Sequence, residues 1–331
     1  MKVILSGFWE VRAVIKLLKA HFARLKFNKF FWVCVLGAFA VGLTVVFTFY
    51  HSLVKYGSSA SADAAMMLYT GAIGFVGAVI VSLFLGTEYS DGTLRNKIIT
   101  GSRRTDIYIS SLIVSIAATA AICAAYLLPV FALGIPLLGG FVLDGKSIAL
   151  YLVGSLALLL AFCSIFTAVS MSVHNKTIAS VASIVGVMFV FFLCTYLLNR
   201  LGEPEFIDKV VSYDPVTEEI VTETVRNASY IGGGARTFVL FLLDFLPSGQ
   251  SILYMIGTAT HLWQMPLYSL LIAVAATAGG ILFPQKGYSV KRKLYGGLAF
   301  GCMRNFGGCR HCTFCKIDDC TPFRAGTFKR I

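Results

Sequence analysis

The chain has 331 residues, 57% hydrophobic and only 13% charged, with a mean hydropathy of +0.79. A soluble globular protein carries about 25% charged residues, so that class is excluded, as are a disordered chain, a collagen-like fibre and a disulfide-rich secreted module. The net charge of +12 does not point to nucleic acid, because ten of the 28 basic residues and two of the 16 acidic ones fall in 284–331.

Residues 1–28 carry Phe8, Val11, Ile15, Leu18, Phe22 and Leu25 at alternating three- and four-residue spacing, with Arg12, Lys16, Lys19 and Lys26 between them. The pattern predicts an amphipathic helix, basic on its polar side, lying along the cytoplasmic surface of a lipid bilayer. It is not a cleavable signal, since positive charge continues to Lys29 and no small-residue cleavage site precedes the first apolar stretch. Six stretches then reach the roughly 20 residues that a spanning helix needs. They are 30–50, 64–86, 107–128, 147–173, 178–198 and 266–283. The third stays apolar to residue 140, but Pro129 and Pro136 are expected to bend or end its helix. Cys34, Cys123, Cys163 and Cys194 sit singly in these stretches, where a cysteine behaves as a small hydrophobe. The reading is an all-α polytopic membrane protein.

The Lys/Arg bias of the connections sets its orientation. Arg95, Lys97, Arg103 and Arg104 follow the second span and Lys176 follows the fourth, whereas the alternate loops hold only Lys55 and Lys146. Loop 199–265 carries eight carboxylates against Arg200, Lys209, Arg226 and Arg236. Both termini are therefore expected inside, with the acidic loop external. Within that loop, 237–246 is apolar but too short to cross, and Pro247-Ser248-Gly249 stops it. Residues 237–257 read as two short external helices on or dipping into the outer leaflet, hinged at Pro247 and Gly249; a seventh crossing is the competing reading. Asn227-Ala228-Ser229 matches a glycosylation acceptor, a pattern too common to carry weight.

Phosphate-binding, nucleophile-elbow, zinc-protease and dinucleotide motifs are absent from the sequence, so the chain is not expected to be an enzyme or to hold a cofactor. The spans contain no Asp, Glu, Lys or Arg away from their ends, which disfavours a secondary carrier. His51, His174 and His261 lie at span edges or in loops without partners at ligand spacing, and read as interfacial polar residues. The informative segment is GTEYSDGTLRNKIITGSRRTDIYISS, residues 86–111. Asp91 or Thr93 can cap a short helix, Leu94 and Ile98 make its apolar stripe, and Arg95 and Lys97 fall on other faces. Gly101 can end it in the left-handed conformation. Such a helix is either a docking element for a cytosolic motor or a solvated basic loop.

This segment resembles permease subunits of class-two, type V ABC exporters, in the order and spacing of Glu88-Tyr89, Gly92-Thr93-Leu94-Arg95 and Ser102-Arg103. The N-terminal helix, the six spans, the large loop before the last and Asp244-Phe245-Leu246-Pro247-Ser248-Gly249-Gln250 extend the likeness over 1–283. The resemblance implies that 87–105 is a coupling helix seated on a separate ATPase subunit, with Glu88, Arg95, Lys97 and Arg103 in charged contact with it and Asp91 and Arg104 close by. It also implies a homodimer or a heterodimer with a related permease, ATP and Mg on the ATPase, and a bacterial cell membrane. A membrane-embedded anchor or sensor that recruits a cytosolic partner without transport is the rival function. The tail 284–331 has three readings. Cys309, Cys312, Cys315 and Cys320, with His311, could ligate zinc or an iron–sulfur cluster. It could be an unstructured basic tail. The favoured reading is a frameshifted extension, since the codons from Pro284 onward, read one nucleotide later, can encode a short basic ending and a stop.

Overall fold

The structure is a computed structural model and describes residues 2–57, 61–90, 93–173, 175–213 and 220–282. These belong to one unit, Met1–Pro284; the second unit, Gln285–Ile331, holds the tail cysteines and lies outside the described residues. The expectations for Cys309, Cys312, Cys315 and Cys320 therefore fall outside it too.

Helix α1 (Lys2–Lys26) meets α2 (Lys29–Tyr56) at an elbow where the Asn28 side chain accepts the Phe30 N–H at 3.0 Å and caps α2. The next span is made of α3 (Ala62–Met67) and α4 (Thr70–Ser90), and the short α5 (Thr93–Ile99) follows it. The third span runs through α6 (Arg104–Pro129), a π turn (Val130–Gly134) and α7 (Ile135–Leu138), 35 residues in all. Neither proline ends it. Pro129 removes an N–H and crowds the carbonyl one turn back, and the chain widens into the π turn instead of stopping. Pro136 sits in the first turn of α7, where a missing N–H costs least. Then come α8 (Gly145–Ser172) and α9 (Lys176–Gly202), the second capped by the Asn175 side chain, which accepts from Thr177 N at 2.9 Å.

Two strands, β1 (Phe206–Tyr213) and β2 (Ile220–Arg226), pair antiparallel with an irregularity between Val210 and Ser212. Two short helices follow, α10 (Gly233–Phe245) and α11 (Pro247–Met255), before the last span, α12 (Met265–Leu282). Among the described residues six helical stretches are long and apolar enough to cross a membrane, and the fold is an all-α polytopic membrane fold. The α10–α11 pair, bent by 89°, contains no straight segment of that length.

Helix α4 is the hub, packed by α6, α8, α9 and α11. In the apolar window of its span 67% of residues are buried, against 17% for α2 and for α9, which therefore stand at the periphery. Helix α1 packs along α6. The face that it presents inward is not the whole predicted apolar face: Leu17, His21 and Leu25 are buried, while Ile15 and Phe22 are exposed.

Candidate coupling site

The ends of α5 are held by local hydrogen bonding. The Thr93 hydroxyl donates to the Glu88 carbonyl at 3.1 Å, satisfying an acceptor at the end of α4. Helix α5 ends as its sequence predicts. Gly101 adopts φ +88°, its N–H donates to Ile98 O at 3.1 Å, and Ser102 N–H donates to Lys97 O at 3.1 Å, the paired closure that a left-handed glycine permits. Ile98 packs against the core, as an apolar stripe requires.

Glu88 lies at the centre, 1% exposed. The Lys97 ammonium donates to both of its carboxylate oxygens at 3.1 Å. Arg24 Nη1 stands 3.1 Å from Oε1, and His21 Nδ1 lies 3.0 Å from the same oxygen, off the line of a hydrogen bond. Lys97 also lies 3.1 Å from His21 Nε2. Arg24 donates to the Thr87 hydroxyl and covers the Phe84 ring at 5.4 Å. One buried carboxylate surrounded by cations thus ties α1, α4 and α5 together. Such a group is tolerated in an apolar setting only with its charge matched, and losing one partner strands the other.

The structure therefore turns two residues expected to face another subunit toward their own chain: the charges of Glu88 and Lys97 are engaged internally. Ser102 and Arg104 are half-buried at the start of α6, and Arg103 is exposed. Asp91 and Gly92 lie outside the described residues, as do the side chains of Tyr89, Leu94 and Arg95. Sequence reasoning missed His21 and Arg24. Their signal was present, because Leu17, His21, Arg24 and Leu25 fall on one helical stripe, but His21 interrupts its hydrophobicity.

The second built region is the α10–α11 corner. Leu246, just before Pro247, is extended (φ −74°, ψ 132°), as a residue preceding proline prefers. Gly249 is required by close approach: a Cβ there would stand 2.4 Å from Leu243 O and 2.8 Å from Leu243 Cα. Gln250, fully buried, donates to Asp244 O at 2.7 Å and Met265 O at 3.0 Å and accepts from the Ser269 hydroxyl at 2.6 Å, binding α10, α11 and α12 into one corner. Residues 247–254 are all buried, so α11 is inserted among α4, α8 and α9 and does not lie upon them. His261 is not partnerless: its Nδ1 meets Asp244 Oδ2 at 2.9 Å. His51 is exposed, and His174 lies outside the described residues.

The sequence model of ABC-2 type transporters matches residues 12–218. The chain belongs to the ABC-2 type transporter family. No individual curated protein matches it. As an ABC-2 type membrane component it is the permease part of an ABC transporter, and the matched range contains every residue of the Glu88 cluster. The α10–α12 corner lies beyond that range. Among the described residues of this ABC-2 permease, no group of three or more His, Cys, Asp or Glu side chains could hold a metal ion. Asn227, in the acceptor pattern, is buried, and its amide nitrogen donates to Glu203 at 3.0 Å and Pro204 O at 3.2 Å.

Proposed function

We propose that the chain is the membrane-spanning subunit of an ATP-driven exporter, energised by a separate ATPase subunit that binds ATP and Mg. Two permease chains, identical or related, form the working unit in a bacterial cell membrane with both termini cytoplasmic. In this reading α5 is the coupling helix, α1 lies at the cytoplasmic surface with Ile15 and Phe22 in lipid, and the α10–α11 corner faces outside.

The observation that carries the reading is the Glu88 cluster. A push on α5 moves Lys97, Lys97 moves Glu88, and Glu88 moves both α4 and the α1 pair His21 and Arg24. Since α4 packs against α6, α8, α9 and α11, displacement of one seven-residue helix reaches the centre of the bundle. A solvated basic loop has no use for a buried carboxylate that grips its own α5. Lys97 and Glu88 act here as positioning residues. Docking itself falls to the exposed part of the turn, with Arg103 as its charged contact.

The test is reconstitution with a separate ATPase subunit, sought first in the open reading frames beside this gene. Glu88→Gln is expected to insert and to bind the ATPase, but to lose substrate-stimulated ATP hydrolysis. Full stimulation in the variant would reduce α5 to a connecting loop.

A further inference from the structure

Beside the Glu88 cluster, a groove of about 210 Å³ runs between the α1–α2 elbow and α4. Leu25, Phe30, Phe31, Ile80 and Leu83 wall it with apolar surface, and Asn28 and Thr87 supply its polar groups. Arg24 closes the Thr87 end, bonded to that hydroxyl and stacked on Phe84. Lys26 and Lys29 flank the elbow, and both are exposed. Lys16 and Lys19 continue the exposed positive charge along α1. No acidic residue occurs between Lys16 and Asp63 in the sequence, so the elbow segment itself carries only positive charge. The Trp32 indole N–H donates to Lys26 O at 2.8 Å, and its ring meets Phe31 edge-on at 5.5 Å. An indole held this way, one face apolar and one edge polar, is typical of the membrane–water boundary.

We propose that this groove binds one anionic phospholipid, its acyl chain against the Phe31–Leu83 wall and its phosphate at Lys26 and Lys29. Three features select this occupant. The groove begins where a spanning helix starts, so an acyl chain reaches it from the bilayer. Its walls are mostly apolar, with only Asn28 and Thr87 to offer a donor, so an acyl chain gains more along them than a free phosphate ion does. The exposed lysines of the adjoining elbow, Lys26 and Lys29, favour an anionic headgroup over a zwitterionic one. A lipid seated there braces the end of α1 that supplies His21 and Arg24 to the Glu88 cluster. The binding itself does not depend on transport or on an ATPase.

Trp32 is the reporter. With Trp9→Phe and Trp263→Phe leaving it as the single tryptophan, the full chain is placed in phosphatidylcholine vesicles containing a minor fraction of brominated lipid. Brominated phosphatidylglycerol is expected to quench Trp32 with an apparent affinity about fivefold above that of brominated phosphatidylcholine, the order of one lysine–headgroup attraction. Lys26→Glu with Lys29→Glu should abolish the preference. Leu83→Phe, which fills the groove without touching a charge, should abolish it as well. If that variant does not fold, Phe30→Ala removes one exposed wall, and the same loss is expected. Equal quenching by the two lipids in the parent protein would overturn the proposal. So would a preference that survives filling of the groove, which would mean surface attraction alone, or one that inorganic phosphate competes away.

Discussion

Lys97 on α5 and Glu88 on α4 are joined directly: the ammonium of one lies 3.1 Å from both oxygens of the other. The Glu88 side chain is 2% exposed and that of Lys97 18%, so little solvent screens the pair. Removing one member of such a pair typically costs about 3–5 kcal/mol, because the other is left buried with its charge unmatched. Lys97→Met and Glu88→Gln should each lower the thermal midpoint of the detergent-solubilised protein. The double variant should be less destabilised than the sum of the two. Strict additivity, read in a double-mutant cycle, would show that the contact carries no energy.

The α10–α11 corner yields a second expectation. Gly249→Ala places a methyl group against the Leu243 backbone, and overpacking of this kind costs about 1–3 kcal/mol. Gly234→Ala, with nothing within 4 Å of the added carbon, is the matched control. Size-exclusion profiles after a heating series should show early loss for the first variant and none for the second.

Gln250→Leu keeps the volume but deserts Asp244 O, Met265 O and the Ser269 hydroxyl. Each buried polar group left unmet costs about 1–3 kcal/mol. Ser269→Ala removes a single bond, and its loss should be the smaller by about twofold or more in free energy. Equal effects would mean that water replaces the missing partners.

Orientation is checked by thiol labelling in intact cells. Glu218→Cys should react with a membrane-impermeant reagent and Asn96→Cys should not. The reverse pattern would invert every assignment of inside and outside.

Asn227 offers a further check, since its amide is already spent on Glu203 and Pro204. Asn227→Ala should free the base of the hairpin, and limited proteolysis should then cut within 203–233 faster than in the parent. Unchanged cleavage would mean that these bonds do not hold the hairpin.

The spans were legible because the bilayer imposes length and apolarity on them, and a continuous run of some 20 such residues has no other use. Gly101 was legible because a left-handed closure is a local requirement met by one residue type. The hairpin is hidden in the sequence because charge dominates loop 199–265, although 206–213 and 220–226 are rich in Val, Ile and Thr on either side of the dipeptide Asp214-Pro215. The end of the third span was misjudged because the π turn that absorbs Pro129 leaves no mark in composition. The Glu88 cluster was half legible. The carboxylate and Lys97 belong to one short segment, but His21 and Arg24 arrive from 64 or more positions away, and only packing of α1 on α6 brings them in.

The third span also acts as a ruler. Thirty-five residues at about 1.5 Å each measure about 52 Å, while the hydrocarbon layer is only about 30 Å thick. Roughly two fifths of this rod must stand clear of the acyl chains, or the rod must lie steeply inclined. Its far end is braced by protein: Phe131 meets Phe141 edge-on at 6.1 Å, and the Asp63 carboxylate takes the backbone N–H of Val142 at 2.7 Å. A rod longer than its membrane and clamped at the overhang cannot adjust to a thinner bilayer by sinking. It can only tilt, and α1, packed along its opposite part, must tilt with it.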